Sequence, residues 1–282
     1  MSSGATPVAL VRRWAVALLA LCLACALGAC TETKPGVSTA NPVVGICHNL
    51  TFSDAIDAAS DSSPPVACTS PHTVETFAIG RVAGVLADQS TRPGPEQLRP
   101  LTGASCPISA LRAFLGAGQR DGVAPLIIHA YFPSEADWAS GARDIRCDIA
   151  VPGAHDAPAS IRFDLSSVMK RPQSAYVRTC YRQAAADSDG WSTTGKQTTC
   201  DRPHSTQDIN AWVNVPTRTP TQAEIQQRCD PFVQEFLAAT ANPGGLLGSG
   251  VVVKDANGTY TLRCTVGGGS SSGNRTGSIV GR

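Results

Sequence analysis

The chain has 282 residues, a formal net charge of +1 and a hydrophobic fraction of 42%. This length favours two domains, and the composition is ordinary for a globular protein. Because the charge is nearly balanced and no basic patch is present, the sequence argues against nucleic acid as a partner.

The N-terminus has the pattern of a bacterial lipoprotein export signal. Two arginines precede an uncharged apolar run over residues 14–27, which is too short for a comfortable membrane span. The run ends in Leu-Gly-Ala followed by Cys30, which resembles the lipobox of bacterial lipoproteins. We therefore predict a signal peptide over residues 1–29 and a lipidated tether over residues 30–43, which holds the chain on the extracytoplasmic side of the cell membrane. An ordinary secretory signal or a short membrane anchor is the alternative.

The chain beyond the tether contains eight cysteines in two matching sets of four. In each set the second cysteine begins the pattern Cys-x-x-Pro-His, and the first two cysteines are 21 residues apart in one set and 20 in the other. Such parallel spacing indicates an internal duplication. The sets are Cys47, Cys68, Cys106 and Cys147 in the first half, and Cys180, Cys200, Cys229 and Cys264 in the second.

These cysteines are predicted to form disulfides, because export places the chain in an oxidising compartment where disulfides persist. If each repeat folds as a unit, pairing stays within a repeat. We favour first with second and third with fourth in both halves. A metal–thiolate site is disfavoured, because zinc sites usually contain close cysteine pairs. We therefore expect neither a metal nor a cofactor.

The first half contains several strand patterns and one helical pattern. Strands are predicted over residues 43–48, 74–82, 125–132, 144–151 and 160–168, and a helix over residues 105–115. Phe77 and Ile79 are expected on one buried face of their strand. Residues 88–102 are broken by Pro and Gly and are predicted to form a loop. Ser134 should cap a helical turn that ends at Gly141.

The second half repeats this order of elements. Strands are predicted over residues 176–182, 209–215, 246–254 and 260–266, and a helix over residues 221–239. Thr221 and Glu224 have the spacing of a capping box at the start of this helix. Trp212 is assigned to the apolar set of its strand. Residues 276–280 fall where the last strand of the first half lies, and they are predicted to dock as a final strand.

These elements predict an α+β fold of two tandem disulfide-stapled repeats. Each repeat is a small, mostly antiparallel sheet with one main helix that carries the third cysteine. The first domain is expected over residues 44–168 and the second over residues 172–282.

The first half resembles the septum formation domain of actinobacterial membrane proteins and lipoproteins. The matching residues are Gly45-Ile46-Cys47, Cys68, Pro71-His72, Glu75, Phe77, Cys106, Pro133-Ser134, Trp138, Gly141, Arg143 and Cys147. The second half matches more loosely: it retains Pro203 and His204 but has Gln207 in the place of Glu75. The resemblance implies two tandem copies and a link to cell-envelope growth or division. It implies no activity, catalytic residue or cofactor.

The best candidate motif is the pair of Pro-His signatures. The motif residues are Pro71, His72, Glu75, Pro203 and His204. A histidine beside a carboxylate can act as an acid, a base or a ligand. We favour the alternative in which proline and histidine shape a turn beside a disulfide, with the imidazole bonded to the backbone.

The expected function is therefore a non-enzymatic binding or scaffold module of the cell envelope, possible partners being an envelope protein and a cell-wall component. The alternatives are an envelope hydrolase that uses a His/carboxylate pair, and a carrier of a lipid or small molecule. An open cleft with convergent polar groups around His72 favours the hydrolase. A buried His72 bonded to backbone favours the binding module.

Overall fold

The computed structural model describes residues 41–51, 59–153, 157–183, 195–215, 220–239, 246–254, 259–268 and 275–279. The predicted signal peptide, the lipidation residue Cys30 and most of the tether lie outside these ranges. Among the described residues, no helix has the length and apolar character needed to cross a membrane. Both halves of the duplication belong to one unit, residues 37–282. The domain bounds at residues 168 and 172 stay a prediction.

The first half forms a five-stranded antiparallel sheet. Its strands are β1 (Cys47–His48), β2 (Pro65–Val66), β3 (Val74–Arg81), β4 (Ile127–Tyr131) and β5 (Asp144–Ala150). Their order across the sheet is β2-β1-β3-β5-β4. Four of these strands lie within or close to the predicted ranges, although the first shrinks to two residues.

The second half forms a sheet of the same topology. Its strands are β6 (Thr179–Gln183), β7 (Gly195–Thr199), β8 (Thr206–Val215), β9 (Leu246–Lys254) and β10 (Tyr260–Gly268). Their order is β7-β6-β8-β10-β9. In both sheets the third strand in sequence is central, with the first strand on one side and the fifth on the other. The predicted α+β class is confirmed, and the shared topology supports a duplication.

Helical segments lie mainly between the third and fourth strands of each half. They are α1 (Pro95–Leu98), α2 (Thr102–Ser105), α3 (Ile108–Leu115), α4 (Glu135–Ala139) and α5 (Gln222–Ala239). The loop predicted over residues 88–102 is wrong in part, since Pro95 begins α1; proline is preorganised for the first helical position. Cys106 precedes α3 instead of lying in the helix, because the chain is extended at Pro107. Only the second main helix therefore carries its third cysteine.

The two predicted helix caps are confirmed. The Ser134 hydroxyl accepts a hydrogen bond from the Asp137 N–H at 3.1 Å. At the start of α5 the Thr221 N–H donates to the Glu224 carboxylate at 2.8 Å, and the Glu224 N–H donates back to the Thr221 hydroxyl at 3.3 Å. The buried face of α5 consists of Ile225, Cys229, Val233 and Phe236. This face packs on the second sheet and forms its core with β8, β9 and β10.

Two side chains expected in the core are exposed. Phe77 is buried as predicted, but Ile79 is 42% exposed. The register of β3 against β5 shifts between Thr76 and Ala78, so Phe77 is an extra residue and the alternation of faces is broken. Trp212, which lies opposite Arg263 on β10, is 55% exposed. Its assignment to the apolar set is therefore wrong.

Within the described residues, the final strands predicted at residues 160–168 and 276–280 are not formed; residue 280 lies outside the described ranges. Each half has a single isolated bridge there instead, from His72 to Ile161 and from His204 to Arg275. Ile161 and Ile279 are nevertheless buried. We call residues 161–165 and 275–279 the closing segments. They dock on the two sheets without becoming strands, because buried side chains bind the Leu165 and Ile279 N–H groups.

A short stretch of the first half joins the second half directly. The Ala124 N–H donates to the Val177 carbonyl at 2.8 Å, and the Thr179 N–H donates to the Gly122 carbonyl at 3.0 Å. Gly122 packs so closely on Asp208 that a Cβ atom there would lie 2.7 Å from its carboxylate oxygen. Only glycine fits at this position without a shift of the neighbouring strand.

Candidate functional site

The four disulfides have the predicted pairing. They are Cys47–Cys68, Cys106–Cys147, Cys180–Cys200 and Cys229–Cys264. Two further polar side chains approach them: His204 lies near the third bridge and Glu75 near the first, each with its ligand atom within 4.8 Å of the sulfurs. Because both sulfurs in each group are already bonded to each other, these groups could bind a metal only after reduction.

The two signature histidines hold turns in the interior of the molecule. His72 and His204 are 0% and 1% exposed. Nδ1 of His72 donates to the Ser70 carbonyl at 2.9 Å, and Nδ1 of His204 donates to the Arg202 carbonyl at 2.7 Å. A carbonyl oxygen only accepts, so each Nδ1 carries the proton. Burial lowers the pKa of His204, which favours this neutral form.

The same histidines fasten the closing segments through their backbone. The His72 N–H donates to the Ile161 carbonyl at 3.0 Å, and the Ile161 N–H donates back at 2.9 Å. His204 and Arg275 exchange the same pair of bonds at 2.9 and 3.1 Å. The imidazole fixes the turn and the backbone holds the segment. This arrangement supports the structural interpretation of the Pro-His signature.

Glu75 and Gln207 occupy equivalent positions and bind equivalent groups. A carboxylate oxygen of Glu75 accepts from the Leu165 N–H at 2.6 Å. The amide oxygen of Gln207 accepts from the Ile279 N–H at 2.9 Å. Both side chains are fully buried. Within the described part of the chain no hydrogen bond or ion pair joins Glu75 to His72, so the two are not brought together as an acid–base pair.

The buried Glu75 should make stability depend on pH. Burial raises its pKa from the ordinary 4.5 to about 7, while the Leu165 N–H and Arg171 oppose the rise and Asp164 and Asp148 add to it. A carboxyl group whose pKa is higher in the folded chain binds protons more tightly there. Its contribution to stability is complete below pH 4.5 and is lost as pH rises to about 7.

We predict that Glu75→Gln removes this part of the pH dependence. The amide retains an acceptor for the Leu165 N–H, as Gln207 does in the second half, and carries no charge. Urea unfolding from pH 4 to 8 should show the variant up to about 3 kcal/mol more stable than the wild type at the alkaline end. Glu96→Gln, at a carboxylate that is 86% exposed and does not affect the pKa of Glu75, is the control and should decline with pH much as the wild type does. Equal pH profiles for the wild type and Glu75→Gln would contradict the prediction.

A buried ionic cluster in the first half has no counterpart among the motifs predicted from the sequence. Arg146 contacts Asp61 at 2.6 Å and Asp148 at 2.9 Å. Asp148 also accepts from the Thr76 hydroxyl at 2.8 Å. Although burial alone would raise the pKa of Asp61, its bonds from Arg146 and Ser63 hold it below the ordinary value. Burial raises the pKa of Asp148 despite the same arginine.

The second half has a related cluster, but its carboxylate lies on β8, the equivalent of β3, and not on β10, the equivalent of β5. Asp208 binds Arg263 at 3.0 Å and accepts from the Tyr181 hydroxyl at 3.2 Å. In register, Asp208 on β8 faces Thr265 on β10, whereas in the first half Thr76 on β3 faces Asp148 on β5. The acid and the threonine have exchanged strands. Because of this exchange, aligning the two halves position by position does not match Asp148 with Asp208. The arginine directly before the fourth cysteine is common to both halves.

A cleft of about 710 Å³ opens between the two halves. Its wall from the first half consists of Pro125, Ile127, Pro152 and Gly153. Its wall from the second half consists of Arg182, Lys196, Gln197, Thr198, Thr199, Arg202 and Pro203. Arg202 and Pro203 belong to the second Pro-His signature. In the second half, therefore, the histidine of the signature is buried, while the two residues before it line the cleft.

The fold and the disulfides define an extracytoplasmic protein of two like sheets, since persistent disulfides are typical of oxidising compartments. A family model described as septum formation matches residues 44–224. The chain therefore belongs to the septum formation family. The match is one continuous stretch, so it does not show the two tandem copies predicted from the sequence. No curated protein and no solved structure matches the chain.

Proposed function

We propose that this protein is a lipid-anchored, non-enzymatic binding module of the cell envelope that acts in septum or cell-wall growth. Membership of the septum formation family supports the process. Four disulfides and the lipobox at Cys30 support the location. The partner is an envelope protein or a cell-wall component.

The observation that carries the binding role is the cleft between the halves. Its volume of about 710 Å³ falls within the range of ligand pockets. Both halves contribute to its walls, and the buried contacts around Gly122 hold the halves together. The signature histidines are buried and bonded to backbone, so they serve the fold that shapes this cleft. This arrangement favours a binding module over a hydrolase based on His72.

Photocrosslinking in intact cells tests the proposal. A photoreactive residue at Thr198, which lines the cleft, should capture one envelope protein or cell-wall component that mass spectrometry identifies. The matched control is Val85, which is 82% exposed and does not line the cleft. The same adducts from both positions, or none from Thr198, would count against the cleft as the binding surface.

The lipid anchor has its own test. Cys30→Ala should abolish acylation, because the modified group of a lipobox is the cysteine itself. The protein should then move from the detergent phase to the aqueous phase, or accumulate as an uncleaved precursor. Cys25→Ala, inside the apolar run, is the control and should be acylated normally. Membrane retention of a cleaved Cys30→Ala protein would refute the anchor.

A further inference from the structure

The described lining of the cleft has an unbalanced positive charge. Arg182, Lys196 and Arg202 line it and are exposed, and no described residue of the lining carries a carboxylate. The Arg202 guanidinium donates to the Pro152 carbonyl across the cleft at 3.3 Å. Arg182 and Lys196 have no ion-pair partner in the part of the chain that the structure describes. These two cations are therefore available to an anion.

The two cations are placed where they repel each other. Arg182 and Lys196 are direct partners in the ladder of β6 and β7, so their side chains share one face of the sheet. Like charges at directly opposed positions destabilise a strand pair. An anion between them would turn this repulsion into two favourable contacts.

Many other arginines of the molecule contact a carboxylate. The pairs are Arg81 with Asp144, Arg120 with Glu235, Arg146 with Asp148, Arg171 with Asp164, Arg178 with Asp121 and Arg263 with Asp208. Other arginines, such as Arg112 and Arg143, donate to backbone carbonyls instead. Among the described residues, neither Arg182 nor Lys196 has a side-chain partner of either kind. Guanidinium groups bind phosphate and carboxylate oxygens with well-matched geometry.

The other residues that line the cleft indicate what kind of molecule carries the anionic group. Pro125, Ile127, Pro152 and Pro203 supply apolar surface beside the cations. Thr198 supplies a hydroxyl that both donates and accepts hydrogen bonds. A saccharide ring has an apolar face, hydroxyl groups and the appropriate size for such a wall. Resting on the proposed binding role, we infer that the cleft binds an acidic saccharide, whose phosphate or carboxylate lies between Arg182 and Lys196.

Calorimetry on the mature lipoprotein in detergent tests this inference. The probes are glucose 1-phosphate and glucuronate, with glucose and inorganic phosphate for comparison. Both acidic sugars should bind more tightly than either comparison probe, and salt should weaken them because exposed charges are screened. The double variant Arg182→Gln/Lys196→Gln should lose about tenfold or more in affinity. Arg99→Gln, an exposed arginine that does not line the cleft, should bind as the wild type does.

A melting curve without ligand shows that the double variant is folded. Because two opposed cations are removed, its melting temperature should equal or exceed that of the wild type. Unchanged affinity in the double variant, equal binding of inorganic phosphate, or no binding of either acidic sugar overturns the inference. Equal binding of glucose also overturns it but leaves the cleft as a binding site. Failure of the Thr198 crosslink as well defeats the proposed function itself.

Discussion

Replacing Arg178 with methionine is expected to lower the free energy of unfolding by about 3–5 kcal/mol. Arg178 contacts Asp121 at 2.7 Å, and both side chains are only 1% exposed. The same guanidinium donates to the Met169 carbonyl at 3.0 Å. Methionine fills a similar volume but removes the positive charge that Arg178 places beside the buried Asp121 carboxylate, and breaking a buried ion pair from one side is expensive. Urea denaturation followed by circular dichroism measures the loss.

Two companion variants separate the ion pair from other effects of the Arg178 substitution. Adding Asp121→Asn to Arg178→Met should recover part of the loss, because the remaining group is then neutral. Arg81→Met is the matched control: its ion pair with Asp144 is exposed, and exposed pairs contribute about 0–1 kcal/mol. If Arg178→Met and Arg81→Met lower the free energy of unfolding by similar amounts, the burial of the Arg178–Asp121 pair contributes little to stability.

Replacing Cys229 with alanine is expected to cost about 2–5 kcal/mol of stability and to leave Cys264 as a free thiol. The Cys229–Cys264 bridge ties α5 to β10 with a sequence separation of 35 residues, and both sulfurs are buried. Without the bridge, the unfolded chain gains conformational freedom and the helix loses its covalent tie to the sheet. Urea denaturation measures the stability, and maleimide labelling of the unfolded protein should count one thiol.

The double variant Cys229→Ala/Cys264→Ala is the control for the free thiol. Its stability should be close to that of Cys229→Ala, since the lost bridge and not the new thiol is responsible. Labelling should find no thiol in the wild-type chain beyond the tether. A Cys229→Ala protein without a reactive Cys264 would mean that Cys264 pairs elsewhere, which contradicts the repeat scheme.

Part of this fold is predictable from residues that lie close together in the sequence. The strand Val74–Arg81 and the helix Gln222–Ala239 follow from side-chain periodicity and, for the helix, from the cap formed by Thr221 and Glu224. The repeated spacing of the cysteines predicts that disulfides stay within each half, and the favoured scheme of first with second and third with fourth is the one observed. Each of these features depends on residues close in sequence, or on one half repeating the other.

The candidate site depended on contacts between distant residues. A β-bulge in β3 exposed Ile79, although alternation along the strand predicted that it is buried. Glu75 lies three residues from His72 in sequence, but its carboxylate binds the Leu165 N–H, 90 residues away. The periodicity of a strand contains no information on which distant backbone donor a buried carboxylate will meet.

The sequence by itself determined the class of the protein: an exported, disulfide-stapled chain with a duplicated α+β organisation. The tertiary structure alone decided how the halves meet. It buried Arg178 against Asp121, docked the closing segments without strands, and brought Pro125 of the first half and Arg182 of the second into the lining of one cleft. The physical reason is that the disulfide pattern repeats within each half, whereas the cleft and the ion pair form between the halves, from residues such as Asp121 and Arg178 that the repeated cysteine pattern does not include.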